Sequence, residues 1–178
     1  RGHYNSIELD DDLSVKIFDD FISKLDPQKR FFTQNDIRQL NRYKYKIDDQ
    51  IKNYQLEFFE ETYKTYSLRL NDAKLSVDKV FEADFDFSEN EFIDLNNDSI
   101  SFSVGKNQLF ERWRKQIKYS VLDIVAQRFS SDSSDFDEIK IKAISTVKKN
   151  TDDFFDYVDE LDRDDWFSVF VNSFVSQF

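Results

Sequence analysis

The stretch Leu56–Val80, LEFFEETYKTYSLRLNDAKLSVDKV, decides the fold. Its Leu56, Phe59, Tyr63, Tyr66, Leu70, Ala73, Val77 and Val80 alternate spacings of three and four residues over seven steps. With about 3.6 residues per helical turn, such positions share one stripe, which predicts a long helix with a packed seam. The length also suits an isolated coiled coil, but the aromatic first half and the amphipathic neighbours favour packing within a bundle.

Upstream, the apolar positions Leu13, Ile17, Phe18, Phe21, Ile22 and Leu25 recur at helical spacing behind Asp10, Asp11 and Asp12, and predict an amphipathic helix over Ile7–Leu25. Asp26-Pro27 ends it, because the residue before proline is pushed out of the helical region. Thr33 and Asp36 resemble a capping box, with an acid in place of the usual Glu or Gln, opening a second helix through Ile37, Leu40, Ile47 and Ile51.

Downstream, the periodicity changes between Phe85 and Gly105. Phe92, Ile93 and Leu95 precede Asn96-Asn97-Asp98, and then Ile100, Phe102 and Val104 alternate with Ser101 and Ser103. This reads as a small β-hairpin or an extended crossing segment near residues 92–104. A further helix begins near Asn107 and carries Leu109, Trp113, Ile117, Val121 and Ile124 on one face, until the polar run Ser130–Asp135 breaks it. Phe136, Ile139, Ala143 and Val147 predict one short helix; Phe154, Phe155, Val158 and Leu161 predict the next; Trp166, Phe167, Phe170 and Phe174 predict the last. There is no repeat at a fixed period. The expected fold is mainly α: an irregular bundle of six or seven helices forming a single domain over residues 1–178.

Composition narrows the function. The 178 residues include twenty Phe, eight Tyr and two Trp, so large rings fill much of the core. Gly2 and Gly105 are the two glycines and Pro27 the one proline. Phosphate-cradling loops and strained nucleophile turns need glycine, which argues against a nucleotide-binding or hydrolase core. A formal net charge of −11 repels phosphate backbones and anionic lipid, so a protein is the better partner than nucleic acid or a membrane surface. With no cysteine there is no disulfide or thiolate metal site, and no apolar run approaches the ~20 residues that span a bilayer. The chain starts at Arg1 and contains no methionine, which reads as a piece of a longer product.

Four constellations invite a chemical reading. Eight acids among the fourteen residues Asp152–Asp165 suggest a cation site, but carboxylates capping and solvating two helix starts explain them as well. Asp84, Asp86 and Ser88 match the first alternating positions of a calcium loop, which then fails: Glu89 replaces the required glycine and Leu95 the bidentate Glu. His3 is the one histidine and lies near the end, leaving little for a Ser-His-Asp triad or a histidine zinc site; a Ser-Lys pair has no glycine-rich turn to expose its serine. Arg112-Trp113-Arg114-Lys115 with Lys118 and Tyr119 mixes cations with rings as single-strand binders do, yet on a helix it also reads as a core tryptophan among cations paired with nearby acids. No catalytic, cofactor-binding or metal-ligating residue is assigned within the chain.

Three stretches together carry more. His3-Tyr4, Leu9-Asp10-Asp11, Leu25-Asp26-Pro27-Gln28-Lys29-Arg30-Phe31-Phe32 and Asp36-Ile37 resemble the opening of the N-terminal domain of tail-specific (carboxyl-terminal processing) proteases. Phe85-Asp86-Phe87, Leu109–Lys115 and Val121-Leu122 are similar to its middle, and Asp165–Phe174 to its closing helix, with Val171 where the family pattern has methionine. The resemblance implies a periplasmic, PDZ-containing serine endopeptidase with a Ser-Lys dyad, whose PDZ and catalytic domains lie beyond Phe178. It implies a non-catalytic platform that docks on the PDZ and protease domains of the same chain and helps enclose protein substrates recognised by apolar C-termini, with an accessory lipoprotein as a further partner. The rivals are a free-standing helical adaptor, which a stop codon after Phe178 would support, and an acidic metal-binding enzyme, which a chelator-sensitive melting temperature would reveal.

Overall fold

The computed structural model describes residues 8–97, 99–129 and 135–178, and several of its helices begin where side chains satisfy the free N–H groups of a first turn. Helix α1, Asp11–Leu25, opens on Asp10, whose carboxylate accepts the Leu13 N–H at 2.9 Å. Its six apolar positions singled out by spacing are all buried. Helix α2, Gln34–Leu40, opens on a true capping box: the Thr33 hydroxyl accepts the Asp36 N–H, and the Asp36 carboxylate accepts the Thr33 N–H at 2.8 Å.

The predicted continuation of this helix to Ile51 is instead broken into a 3₁₀ turn, Asn41–Tyr43, and helix α3, Ile47–Lys52. Tertiary bonding overrides periodicity here. Asp48 donates its N–H to the Ser14 hydroxyl at 2.8 Å and accepts that hydroxyl's proton at 2.7 Å, which starts α3 afresh against α1. Tyr54, at φ 57°, terminates α3 in the left-handed region usually reserved for glycine. The Gln50 side chain then accepts the Phe58 N–H at 3.0 Å and so caps the next helix.

Helix α4, Glu57–Glu82, is the long element expected from Leu56–Val80, and it packs on α2, on α5 (Lys106–Phe129) and on α7 (Arg163–Val175). Because it is covered on several sides, it buries Phe58 and Thr62 as well as the seam residues Phe59, Tyr66, Ala73, Val77 and Val80. Phe58 sits 5.2 Å from Phe18, 5.8 Å from Phe21 and 6.0 Å from Phe170, centroid to centroid, tying α1, α4 and α7 into one aromatic core.

Helix α6, Phe136–Glu160, is one 25-residue element where two short helices are predicted. The apolar seam lapses at 148–153, but Thr151 bonds back to the Val147 carbonyl at 2.8 Å, while Lys148–Asp152 and Lys149–Asp153 pair one turn apart. Polar residues carry the helix across the gap. Helix α7 opens on an Asp162–Asp165 capping box. The described residues thus form seven α-helices and no sheet, a mainly α irregular bundle. No described helix is long and apolar enough to cross a membrane.

Between α4 and α5 the described residues of the segment 83–105 cross the bundle as an irregular, largely extended run with no hairpin among them. Among its described residues one bridge is formed, joining Ser103 to Thr33 in parallel, where the Gln34 N–H reaches the Ser103 carbonyl at 2.8 Å. The alternation runs opposite to expectation at the end: Ser103 is fully buried, and Val104 is 72% exposed.

Candidate functional site

The crossing segment lies against a turn built by Asp26. Buried at the end of α1, this carboxylate accepts the N–H groups of Arg30 at 2.8 Å, Phe31 at 3.0 Å and Phe32 at 2.9 Å. Burial raises its pKa, against the backbone bonds and the nearby Arg30 charge that lower it. The turn places Lys29 at φ 50°, so that its ammonium reaches the carbonyls of Asn97 and Ile100. Trp113, 3% exposed, donates its indole N–H to the Arg30 carbonyl at 3.0 Å and thereby fixes α5 to the same turn.

From α5, Arg112 donates to the carbonyls of Lys29 and Ser101, and Lys115 donates to the Phe92 carbonyl at 3.2 Å. Glu91 pins the other end of the segment by accepting from Arg114 and Lys118, and those two bonds pull its pKa down to about 2. The segment is therefore strapped down by side chains rather than paired as a strand.

Under the strap lies a cleft of about 330 Å³ lined by Arg30, Phe92, Leu95, Ile100, Arg112 and Lys115, among others. Phe92 is 80% exposed and Leu95 56%, so the rim is apolar while the wall is cationic. The Arg30 guanidinium carbon lies 4.3 Å from the Trp113 ring centroid, 5.2 Å from Phe154 and 5.5 Å from Phe31. These rings hold it rigidly by cation–π attraction. On the far side, Asp36 and Arg69 form a bidentate pair at 2.8 Å. Burial would raise the Asp36 pKa, but bonds from Arg69 and Thr33 outweigh it and hold the carboxyl below its usual range.

The four constellations weighed from sequence fall as follows. The acidic tract is divided: Asp162, Asp164 and Asp165 start α7, whereas Asp152, Asp153, Asp156, Asp159 and Glu160 line the last turns of α6, not a helix start as expected. Two of them pair with Lys148 and Lys149, and Asp159 reaches Lys74 of α4 at 2.7 Å. Asp86 accepts the Ser88 N–H at 2.8 Å in a local turn. His3 lies outside the described residues, and no described group of three or more acids converges as metal ligands would. In the basic run, Trp113 is core and Arg114 pairs with Glu91 and Glu111, but Arg112 and Lys115 meet neutral carbonyls instead of the expected acids. Spacing gave no hint of Arg30 as a cleft residue, because its position depends on the Asp26 turn and on rings from three separate segments.

The whole chain, residues 1–178, matches the family model described as the tail specific protease N-terminal domain. The chain belongs to that family. It is also similar to the tail-specific protease of Haemophilus influenzae, 25% identical over 125 residues, a stretch that covers 70% of this chain and 18% of that protein's length. Within this tail-specific protease N-terminal domain, the Asp26 turn, the Trp113 anchor and the crossing segment are the parts that build the cleft.

Proposed function

We propose that residues 1–178 are the non-catalytic N-terminal platform of a periplasmic, serine-type tail-specific protease, docking on the PDZ and protease domains of the same chain and helping to position protein substrates recognised by apolar C-termini. An accessory lipoprotein is a further partner on this reading. The observation that carries it is the family match across the whole chain. The bundle itself supports it: the side chains with strong electrostatic coupling, such as Asp36–Arg69 and Glu91–Arg114, are engaged in holding elements together. Exposed apolar side chains on the crossing segment, Phe92 and Leu95, offer contact area of the kind that partners cover.

The test compares the full protease with a version lacking residues 1–178, using a short peptide substrate and an unfolded protein substrate. The platform reading expects peptide cleavage to persist while degradation of the unfolded protein falls about tenfold or more. Equal activity of both versions on both substrates contradicts it.

A further inference from the structure

We propose that the cleft between the crossing segment and α5 binds an extended polypeptide segment that presents Asp or Glu side chains beside apolar ones, with Arg30 as the principal contact. The inference goes beyond the platform reading and does not depend on it.

Arg30, Arg112 and Lys115 all line the cleft and are half-buried, and none has a carboxylate within ion-pair distance among the described residues. The chain carries 36 acids against 25 Lys and Arg, and cations on every helix but α2 find acidic partners within the bundle or across it, as Lys24, Lys52, Arg69, Arg114, Lys142 and Arg163 do, and as Arg42 of the 3₁₀ turn does. Other described cations, such as Lys16, Lys64 and Lys140, lack one too, but they stand apart, whereas three share this cleft. Arg112 and Lys115 bond only to main-chain carbonyls, which satisfy donors but leave the net charge intact. The Arg30 guanidinium makes no hydrogen bond to any described residue; rings hold its faces, and its donors face the open cleft side without a protein acceptor among the described residues. Its nearest opposite charge is Asp26, whose oxygens already accept three N–H groups.

The two acids among the described lining residues are engaged elsewhere. Glu111 is committed to Arg114, and Asp94 accepts the Ser99 hydroxyl and the Asn96 N–H at the outer edge. A rigid guanidinium with free donors favours a carboxylate, to which it can donate two parallel bonds. The exposed Phe92 and Leu95 beside it favour apolar neighbours on the same ligand. The net charge of −11 repels an acidic chain at long range, so its capture depends on a local grouping of cations such as the one in this cleft.

The test uses the 178-residue chain and a fluorescent decapeptide, blocked at both ends, in which Glu alternates with Leu; the control replaces Glu with Gln. The Glu peptide is expected to bind about tenfold tighter at 50 mM salt, and to weaken as salt rises. Arg30→Gln and Lys115→Glu are each expected to lower its affinity about fivefold or more. Lys115→Glu, on a half-exposed side chain with an unchanged melting temperature, separates lost binding from lost folding. Equal binding of both peptides, binding of neither, or indifference to Lys115→Glu overturns the proposal. So does tight binding of a neutral peptide through a free C-terminal carboxylate where the blocked acidic one fails.

Discussion

The α1–α4–α7 core and the crossing segment are held by different physics. In the core, Phe21, Phe58 and Phe59 are fully buried and meet one another and Phe170 in edge-to-face and tilted contacts, so stability comes from area removed from water and from close packing. In the crossing segment, residues 83–105, one isolated bridge and a set of side-chain bonds to carbonyls fix an extended backbone whose own apolar residues are partly outside. Stability concentrated in burial resists local opening; stability divided among half-exposed bonds permits it. The more easily opened region is the one that borders the cleft.

The sharpest contrast comes from truncation. Phe58→Ala should cost about 3 to 5 kcal/mol in urea unfolding, since it leaves a cavity among four rings. Trp113→Ala should fall in the same range of about 3 to 5 kcal/mol, because the ring is buried and also anchors the Arg30 turn. Trp166, which spacing alone places in the core, is half-buried against Tyr66, so Trp166→Ala should cost less than Trp113→Ala. A reversed order for the two tryptophans would break the division between core and periphery.

Removing one member of the Asp36–Arg69 pair ranks next. Asp36→Ala should cost about 2 to 3 kcal/mol by weakening the cap of α2 and leaving Arg69 with Asp72 alone, measured by the same unfolding series. Arg112→Ala should cost about 1 to 2 kcal/mol and should raise hydrogen exchange at 99–103 far more than in α4. Equal exchange in both regions would show that the segment is not separately held.

Acid sharpens the comparison further. Glu91 has a folded pKa of about 2, below its unfolded value, so its contribution is present above that unfolded value and is lost as pH falls towards about 2. Asp36, Asp48 and Asp72 are also lowered and act in the same direction; Asp26 is raised, so its contribution favours low pH. The expected outcome is net loss of stability on acidification. Exchange in residues 91–105 should rise first, and Glu91→Gln should remove most of that pH dependence. The smallest effect belongs to a single exposed pair on α6: Lys149→Ala, which loses Asp153, should leave the urea midpoint indistinguishable from that of the unaltered chain.

These regions also differ in how far they are legible in sequence. The spacing of Leu56–Val80 and the Asp10 and Thr33 caps specify helices because periodicity and capping are local. Phe58 escaped the seam because burial on a second face depends on what α1 and α7 bring to it. The break before α3 needed Ser14, 34 positions away, and the unbroken α6 needed Thr151 to stand in an apolar register. The cleft was the least legible part. Its cations come from the Asp26 turn and α5, and a run such as Arg112–Lys115 reveals composition but not which partners remain unpaired.

On the proposed function, residues 1–178 support a protease without breaking bonds themselves. The most direct test is incubation of the purified 178-residue chain with an unfolded protein such as reduced casein, following new N-termini over time. None above the buffer control is expected at any substrate concentration; cleavage that saturates with substrate and scales with the amount of the domain would contradict the proposed role.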